Sequence, residues 1–299
     1  MLTLDPSIIT EMKTIVVSTD FSPASETALL YALAIAKRNG SRVLITHVVT
    51  ENYQLISDEA QKRAIDEAWR DAQALVTEQF IAGRLDDVPY QLRIERGDVW
   101  DRLSDLITKE TVDLLVIGTS GHRRLGKLLL GSTAEKIFRQ ASCPVLSVGP
   151  RARKNVPPGG PRKILFCTGF SHHSLMAGAR AIWMAQRLQA SLILLNVVAD
   201  AKRRSAEQRK DLIQSNQRRL RELVPADAGL AAQPEVLVEF GNAGECILET
   251  ATKHKVDLIV LGVRQSAGFY QRLRGATASR VVTGASCPVL TVRTPATEA

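Results

Sequence analysis

The sequence predicts two tandem α/β domains, each with a parallel β-sheet that is covered by helices on both faces. The first observation is an internal duplication, because residues 141–148 (ASCPVLSV) return 144 residues later as residues 285–292 (ASCPVLTV). Residues 112–118 (VDLLVIG) return at the same offset as residues 256–262 (VDLIVLG). The second observation is that short apolar runs alternate with stretches of helical periodicity, which indicates a doubly wound parallel sheet.

The repeat is long enough for each copy to be a domain. A unit of about 145 residues has the usual size of a domain with one core, whereas solenoid repeats have about 20 to 50 residues. An apolar fraction of 45% fits a globular chain. Prolines and glycines between the copies mark an extended linker. We therefore predict domain 1 at residues 1–149, a linker at residues 150–162 and domain 2 at residues 163–299.

The first half of copy one reads as strand, helix, strand and helix. Residues 13–18 (KTIVVS) are a short β-branched run, and apolar residues at helical spacing follow over residues 22–38. The pair Asn39-Gly40 is typical of a helix end. Residues 43–49 form a second apolar run, and the amphipathic stretch over residues 57–80 predicts a second helix.

The second half of copy one continues the alternation. Residues 90–95 alternate like a strand, Gly97-Asp98 predicts a turn and a helix N-cap, and the apolar spacing over residues 99–107 predicts a third helix. A buried strand, a fourth helix and an edge strand that begins with proline complete the copy, at residues 114–117, 131–140 and 144–148. The second copy repeats this order, with strands predicted near residues 163–166, 191–198, 236–240, 258–261 and 288–292.

Composition and charge argue against several classes of protein. The net charge of +8 comes from scattered basic residues that are interleaved with acidic ones, which favours a solvated surface over a nucleic-acid site. The basic helical stretch over residues 202–219 stays open as a contact for an acidic partner. Residues 1–12 lack the layout of a secretory signal, and no apolar run has membrane-spanning length. Four cysteines fit core packing, so we expect a cytoplasmic protein without a membrane or nucleic-acid partner.

Candidate ligand-binding residues follow the first and fourth strands, because open α/β sheets bind ligands at the carboxyl ends of their strands. Gly118 and Gly121 allow a ligand to approach the backbone closely. Residues 131–133 (GST) open the fourth helix, whose free N–H groups suit a phosphate. Asp20 follows the first strand and can accept hydrogen bonds from the hydroxyls or amine of a nucleoside.

These motifs resemble those of the universal stress protein family. The pattern Gly118, two residues, Gly121, nine residues, Gly131-Ser132 is similar to the family's nucleotide-binding signature. Residues 17–22 (VSTDFS) resemble its first strand and turn, residues 45–49 (ITHVV) its second strand, and residues 143–146 (CPVL) its last. The similarity covers both copies.

The resemblance implies an ATP-binding, Rossmann-like fold of the adenine nucleotide alpha hydrolase-like type, with five parallel strands in the order 3-2-1-4-5. It implies that ATP binds with or without Mg²⁺, that Asp20 contacts the nucleoside, and that Val48 and Ile117 flank the adenine. The other residues that it places at the ribose and phosphates are Gly118, Gly121, Gly131, Ser132 and Thr133. It also implies pairing of the two domains through their last strands as an intramolecular pseudo-dimer, and leaves a homodimer open.

Several residues allow two interpretations. Arg123 and Arg124 either cover the phosphates or are solvated loop charges. Asp20 either contacts the ligand or caps the first helix, and Ser22 is at least as good a cap. His47 lies in a strand, where a hydrogen-bonded core or rim histidine is the expected role. The adjacent histidines at 172 and 173 point to different helix faces, so we expect no shared metal site.

The second copy departs from the signature. Gly169 stands where copy one has Asp20, Gln265 replaces Gly121 and Ala276 replaces Ser132. The phosphate-binding turn keeps only Gly275 and Thr277. We therefore predict that the second domain binds ATP weakly or not at all.

These features predict a stress protein that binds ATP and responds to it by a change of shape or of protein partner. The sequence motifs place no general base or paired carboxylates around the crevice beyond Asp20, so we expect little or no catalysis. One alternative is a slow, Mg²⁺-dependent ATP hydrolase or phosphotransferase in the same crevice. Another is a partner-binding scaffold with a vestigial nucleotide site, whose contact surface is the long helix over residues 57–80.

Overall fold

A computed structural model describes residues 4–9, 11–50, 57–119, 132–157, 159–199, 204–264 and 277–294. The chain divides into two compact units, one of residues 11–160 and one of residues 161–299 together with residues 1–10. The fold of each unit is α/β. None of the helices within the described ranges is long and apolar enough to span a membrane.

The first unit alternates strands and helices throughout. Its strands are β1 (Thr14–Thr19), β2 (Arg42–Val49), β3 (Tyr90–Arg96), β4 (Leu114–Gly118) and β5 (Val145–Val148), and its helices are α1 (Pro23–Asn39), α2 (Asp58–Ile81), α3 (Val99–Lys109) and α4 (Ser132–Gln140). The strand order is β3-β2-β1-β4-β5, and each neighbouring pair is parallel. Crossover connections place β1 at the centre, between β2 and β4.

The second unit repeats this architecture. Its strands are β6 (Lys163–Cys167), β7 (Ser191–Val198), β8 (Glu235–Phe240), β9 (Leu258–Arg264) and β10 (Val289–Thr294), and its helices are α5 (His172–Leu188), α6 (Ala206–Leu223), α7 (Ala243–Lys253) and α8 (Thr277–Gly284). The strand order is β8-β7-β6-β9-β10, again with parallel neighbours. The tandem α/β fold with strand order 3-2-1-4-5 is thus confirmed in both copies.

Local sequence signals explain where the helices begin and end. Ser22 caps α1 by accepting a hydrogen bond from the backbone N–H of Ser25, and Gly40 ends the helix in the left-handed conformation at φ 68°. The predicted turn before α3 contains Gly97 at φ 129°, and its counterpart before α7 is Gly241 at φ 146°. Both positions strongly favour glycine, because L side chains rarely adopt such φ values.

The aspartate of the duplicated Val-Asp sequence makes the same backbone contacts in both units. In the first unit, Asp113 Oδ2 accepts hydrogen bonds from the backbone N–H groups of Lys13 (2.8 Å) and Thr14 (2.9 Å). In the second unit, Asp257 Oδ2 accepts the same pair from Arg162 (3.1 Å) and Lys163 (3.0 Å). Each aspartate therefore fixes the start of its central strand, β1 or β6.

The amino-terminal segment, which the sequence analysis assigned to domain 1, packs on the second unit. The Leu4 backbone N–H donates to the Leu223 carbonyl at 2.9 Å, and the Leu4 side chain is 3% exposed. Leu4 lies against Gly178 of α5, where a Cβ atom would overlap the Leu4 side chain and the Phe166 ring. The absence of a side chain at residue 178 therefore creates the hollow that Leu4 fills.

Three of the four cysteines, Cys143, Cys167 and Cys287, are buried. Burial raises the pKa of the Cys167 thiol, and the neighbouring Cys287 raises it further. Cys246 is partly exposed. Its pKa is also raised, first by burial and then by the negative charge of Glu239. The core-packing prediction is confirmed for the three buried cysteines, and Cys246 departs from it.

Candidate functional site

The turn after β1 brings Asp20 and Phe21 to the carboxyl edge of the first unit's sheet. Asp20 Oδ1 accepts hydrogen bonds from the Ser22 backbone N–H (3.1 Å) and hydroxyl (2.5 Å). Phe21 lies in the left-handed region at φ 58°. Asp20 thus orients the residue that caps α1, and its exposed side chain also lines a crevice. The two predicted roles of Asp20 are compatible in this geometry.

His47 lies beside this turn and is hydrogen-bonded to the end of β1. Its Nδ1 is 2.8 Å from the Thr19 carbonyl oxygen. Because a carbonyl only accepts hydrogen bonds, Nδ1 is the donor in this contact. The imidazole stacks on Phe21 with 4.6 Å between ring centroids and 26° between planes. His47 is hydrogen-bonded as expected, and it also lines the crevice, which its position in a strand did not predict.

Part of the crevice wall is apolar. Val48 lies near the end of β2 and Ile117 near the end of β4, the two strands that flank β1. The two residues are 6% and 2% exposed. Val99 of α3 and Ile137 of α4 line the same space. This part of the crevice is suited to a flat apolar group such as a nucleobase.

Gly118 ends β4 and has a packing role. A Cβ atom at this position would lie 2.7 Å from the Ser25 backbone nitrogen and 2.9 Å from the Ala24 carbonyl carbon of α1. The second copy keeps the glycine at residue 262, where a Cβ atom would lie 2.6 Å from Ser174 Cα of α5. The glycine is therefore needed for the close approach of a helix, in addition to the predicted approach of a ligand.

The first turn of α4 forms the far side of the crevice. The helix begins at Ser132, and both Ser132 and Thr133 line the space. The remaining predicted residues, Gly121, Arg123, Arg124 and Gly131, lie outside the described residues. Six predicted residues are thus brought to one crevice: Asp20, Val48, Ile117, Gly118, Ser132 and Thr133.

The crevice has a volume of about 810 Å³ and an acidic side that the sequence analysis did not identify. Helix α2 lines it with Ala64, Glu67, Ala68 and Asp71, which recur at the spacing of one helix face. Among the lining residues in the described part of the chain, His47 is the one basic side chain. The volume lies in the range typical of small-molecule sites.

The corresponding region of the second unit contains different side chains. Asn196 replaces His47 and keeps its hydrogen bond, since its Nδ2 donates to the Thr168 carbonyl at 2.8 Å. Gly169 replaces Asp20, and Ser171 caps α5 without a side-chain hydrogen bond to the backbone. The guanidinium carbon of Arg219 lies 3.9 Å from the centroid of the Phe170 ring, the counterpart of Phe21.

Comparison with known proteins identifies the repeat. A sequence profile of the universal stress protein family matches residues 11–149 and residues 160–293. A universal stress protein of Methanocaldococcus jannaschii is 31% identical over 146 residues, covering 46% of this chain and 81% of that protein. A universal stress protein of Mycolicibacterium smegmatis is 25% identical over 296 residues, covering 93% of this chain and 96% of that protein.

A solved structure supports the same fold over nearly the whole chain. The crystal structure of a universal stress protein from Archaeoglobus fulgidus covers 95% of this chain and 99% of its own, with a TM-score of 0.70 and 19% sequence identity. At that identity the likeness concerns the fold alone. Because the family profile matches both copies, the chain belongs to the universal stress protein family and carries two of its domains in tandem.

Proposed function

We propose that this protein binds ATP in its first unit and acts in the stress response through a nucleotide-dependent change of conformation or of protein partner. The second unit then has a structural or regulatory role. The observation that carries the proposal is the crevice of about 810 Å³ that collects Asp20, Val48, Ile117, Gly118, Ser132 and Thr133 in the first unit.

Each part of the crevice suits one part of ATP. The apolar side chains of Val48 and Ile117 suit the two faces of adenine, and the Asp20 carboxylate can accept hydrogen bonds from ribose hydroxyls. The first turn of α4, with Ser132 and Thr133, offers N–H and hydroxyl donors and the positive end of the helix dipole to phosphate.

The charge of the crevice lining suggests a role for the basic residues between β4 and α4 in the sequence. Asp20, Glu67 and Asp71 make the described lining acidic, which opposes a polyphosphate. Arg123 and Arg124, which follow Gly121 in the sequence, are the residues that we propose to neutralise the phosphates.

Mg²⁺ would enter this site together with the nucleotide. Within the described ranges, no group of three or more His, Cys, Asp or Glu side chains converges to hold a metal ion. Magnesium in nucleotide sites is bound largely by phosphate oxygens and water, which fits such a lining. Slow hydrolysis is the first alternative function, and a phosphate-release assay with ATP and Mg²⁺ measures it directly.

Calorimetric titration of ATP into the nucleotide-free, full-length protein tests the proposal. We expect one ATP per chain. Asp20→Ala should weaken binding about tenfold or more, since it removes a charged acceptor worth about 1.5 to 3 kcal/mol. Asp105→Ala is the matched control, because Asp105 is an exposed aspartate on α3 of the same unit, outside the crevice lining. Binding of two ATP per chain would contradict the asymmetry, and no binding would refute the nucleotide site.

A second candidate function is partner binding through α2. Trp69 and Phe80 of this helix are 38% and 62% exposed, although large apolar side chains are usually buried. They are eleven residues apart, which is about three helical turns, so both lie on one side of α2. If partner binding survives Asp20→Ala but is lost in Trp69→Ala with Phe80→Ala, the scaffold function is favoured.

A further inference from the structure

The second helix of each repeat presents a corresponding face, but the two faces carry different residues. In α2 the face that lines the crevice has residues at positions 64, 67, 68 and 71. In α6 the same spacing gives positions 212, 215, 216 and 219. The contacts support this alignment, because Asn216 bonds to the counterpart of His47 and Arg219 contacts the counterpart of Phe21.

In the first unit the side chains of this face leave the crevice open. Ala68 is 6% exposed and ends at a methyl group, so it forms part of the wall without extending into the crevice. Asp71, one turn further along α2, is short and exposed. The Phe21 ring therefore meets His47 and open crevice.

In the second unit the same face is occupied by longer polar side chains. Asn216 Nδ2 donates to Asn196 Oδ1 at 3.1 Å, and Asn196 Nδ2 donates in turn to the Thr168 carbonyl. Asn216 and Asn196 are 8% and 5% exposed, so this chain of hydrogen bonds is buried. It connects α6 to the end of β6, the strand that corresponds to β1.

Arg219 completes the contact between α6 and the sheet. Its guanidinium lies over the Phe170 ring at 3.9 Å, a distance typical of a cation–π contact. A ligand that entered between α6 and the sheet would have to displace this guanidinium and break the buried hydrogen bond between Asn216 and Asn196. Both changes oppose binding, because a buried polar group without a hydrogen bond is unfavourable.

We propose that this helix face determines which repeat accepts an adenine nucleotide. Ala68 and Asp71 keep the first crevice open, whereas Asn216 and Arg219 close the second from within. The inference rests on the proposed function and extends it to residues outside the nucleotide-binding signature. It also distinguishes two reasons for the second unit to bind ATP less well than the first. The second copy has lost signature residues, and it has gained side chains that fill the region between α6 and the sheet.

The test transfers the second face into the first unit of the full-length chain. In the double variant Ala68→Asn with Asp71→Arg, we expect ATP affinity to fall at least tenfold in calorimetry. Charge alone predicts the opposite, because the substitution adds an arginine beside a polyphosphate site. Asp66→Arg is the control: it makes the same charge change at an exposed residue of α2 outside the crevice lining, and its affinity should stay within about threefold of wild type.

Two further measurements make the outcome unambiguous. The single variant Ala68→Asn replaces the double variant if circular dichroism shows that the double variant does not fold. The reverse variant, Asn216→Ala with Arg219→Asp and Gly169→Asp, should raise the number of adenosine molecules bound per chain from one to two, because it also restores the counterpart of Asp20 and adenosine needs no phosphate turn.

The outcomes distinguish this inference from the proposed function. If wild type binds ATP and the folded Ala68→Asn with Asp71→Arg variant binds equally well, the helix-face inference is wrong and the proposed function stands. If wild type binds no ATP, the proposed function fails and the inference fails with it.

Discussion

The two units have the same strand order and the same aspartate at the start of the central strand, yet they differ around the crevice. Asp113 and Asp257 make the same pair of backbone hydrogen bonds, and Gly118 and Gly262 allow the same close helix contact. By contrast, Asp20 becomes Gly169. A feature that is retained where the site has changed is needed for folding, and a feature present only in the first unit is a candidate for function.

This comparison changes the interpretation of the nucleotide-binding signature. Its first glycine is kept in both units and has a packing role in both, so its presence does not by itself indicate a ligand site. Asp20 is more informative. In the second unit, which has no counterpart of Asp20, Ser171 makes no side-chain capping hydrogen bond. Helix α5 nevertheless forms, so a helix at this place does not need the hydrogen bond that joins Asp20 and Ser22 in the first unit. The acidic side chain is therefore dispensable for the helix and remains a candidate for ligand contact.

The largest effect is expected from filling the two glycine positions. Gly262→Ala should lower the free energy of unfolding by about 3 kcal/mol and Gly118→Ala by somewhat less, since the added methyl group meets helix backbone in both units. Gly169→Ala is the control, because no atom lies within 4 Å of its added Cβ, and its effect should stay below about 0.5 kcal/mol. Urea unfolding measures all three. A stable Gly118→Ala variant that no longer binds ATP would show that this glycine serves the ligand and not the helix.

A smaller and equal effect is expected from the two aspartates that hold the central strands. Asp113→Ala and Asp257→Ala should each lower the free energy of unfolding by about 1 to 2 kcal/mol, because each removes the acceptor of two backbone hydrogen bonds. Asparagine retains an oxygen that can accept both bonds, so the Asn variants should recover most of the loss in urea unfolding. Unequal losses in the two alanine variants would indicate that the two copies do not use the aspartate alike.

The smallest effect concerns Asp98, which caps α3 and pairs with Lys136 at 3.0 Å, whereas the second unit has the neutral cap Asn242. The hydrogen bond from Lys136 lowers the pKa of Asp98, and the Asp101 backbone N–H lowers it further. A lowered carboxylate pKa stabilises the fold above the usual pKa, and the contribution disappears as pH falls through the lowered value.

Asp98→Asn should therefore cost less than about 1 kcal/mol at pH 7, and the difference from wild type should shrink below roughly pH 4. Urea unfolding of both proteins across this range is the measurement. A difference that is independent of pH would show that the pair with Lys136 contributes nothing to stability.

Local patterns predicted the elements well, because helix ends and strand starts depend on nearby residues. The first helix was expected over residues 22–38 and is found at Pro23–Asn39, with Ser22 as its cap. The strand order needed the family resemblance, since periodicity identifies strands but does not order them. The alternation of strands and helices did predict parallel pairing, because parallel neighbours need crossover connections.

Two features were not predictable from local sequence. The face of α2 that meets the crevice depends on how the helix lies against the sheet, and Ala68 has no distinctive sequence signal. The contact between Leu4 and Gly178 joins distant parts of the chain, and its only trace is a glycine inside a helix. Long-range packing of this kind leaves no signal in the repeat pattern.

The position of Leu4 has a consequence for synthesis on the ribosome. Leu4 precedes the first unit in the chain and is made well before Gly178 and Leu223, which it contacts. Domains generally fold in order from the amino terminus during synthesis, which proceeds at about 5 to 20 residues per second. Roughly 10 seconds or longer therefore pass between the synthesis of Leu4 and that of Gly178. During that interval residues 11–160 can fold, while the apolar side chain at their amino-terminal end has no hollow to fill. The second unit, which emerges after the first, thus completes its packing with a residue that was made before the first unit.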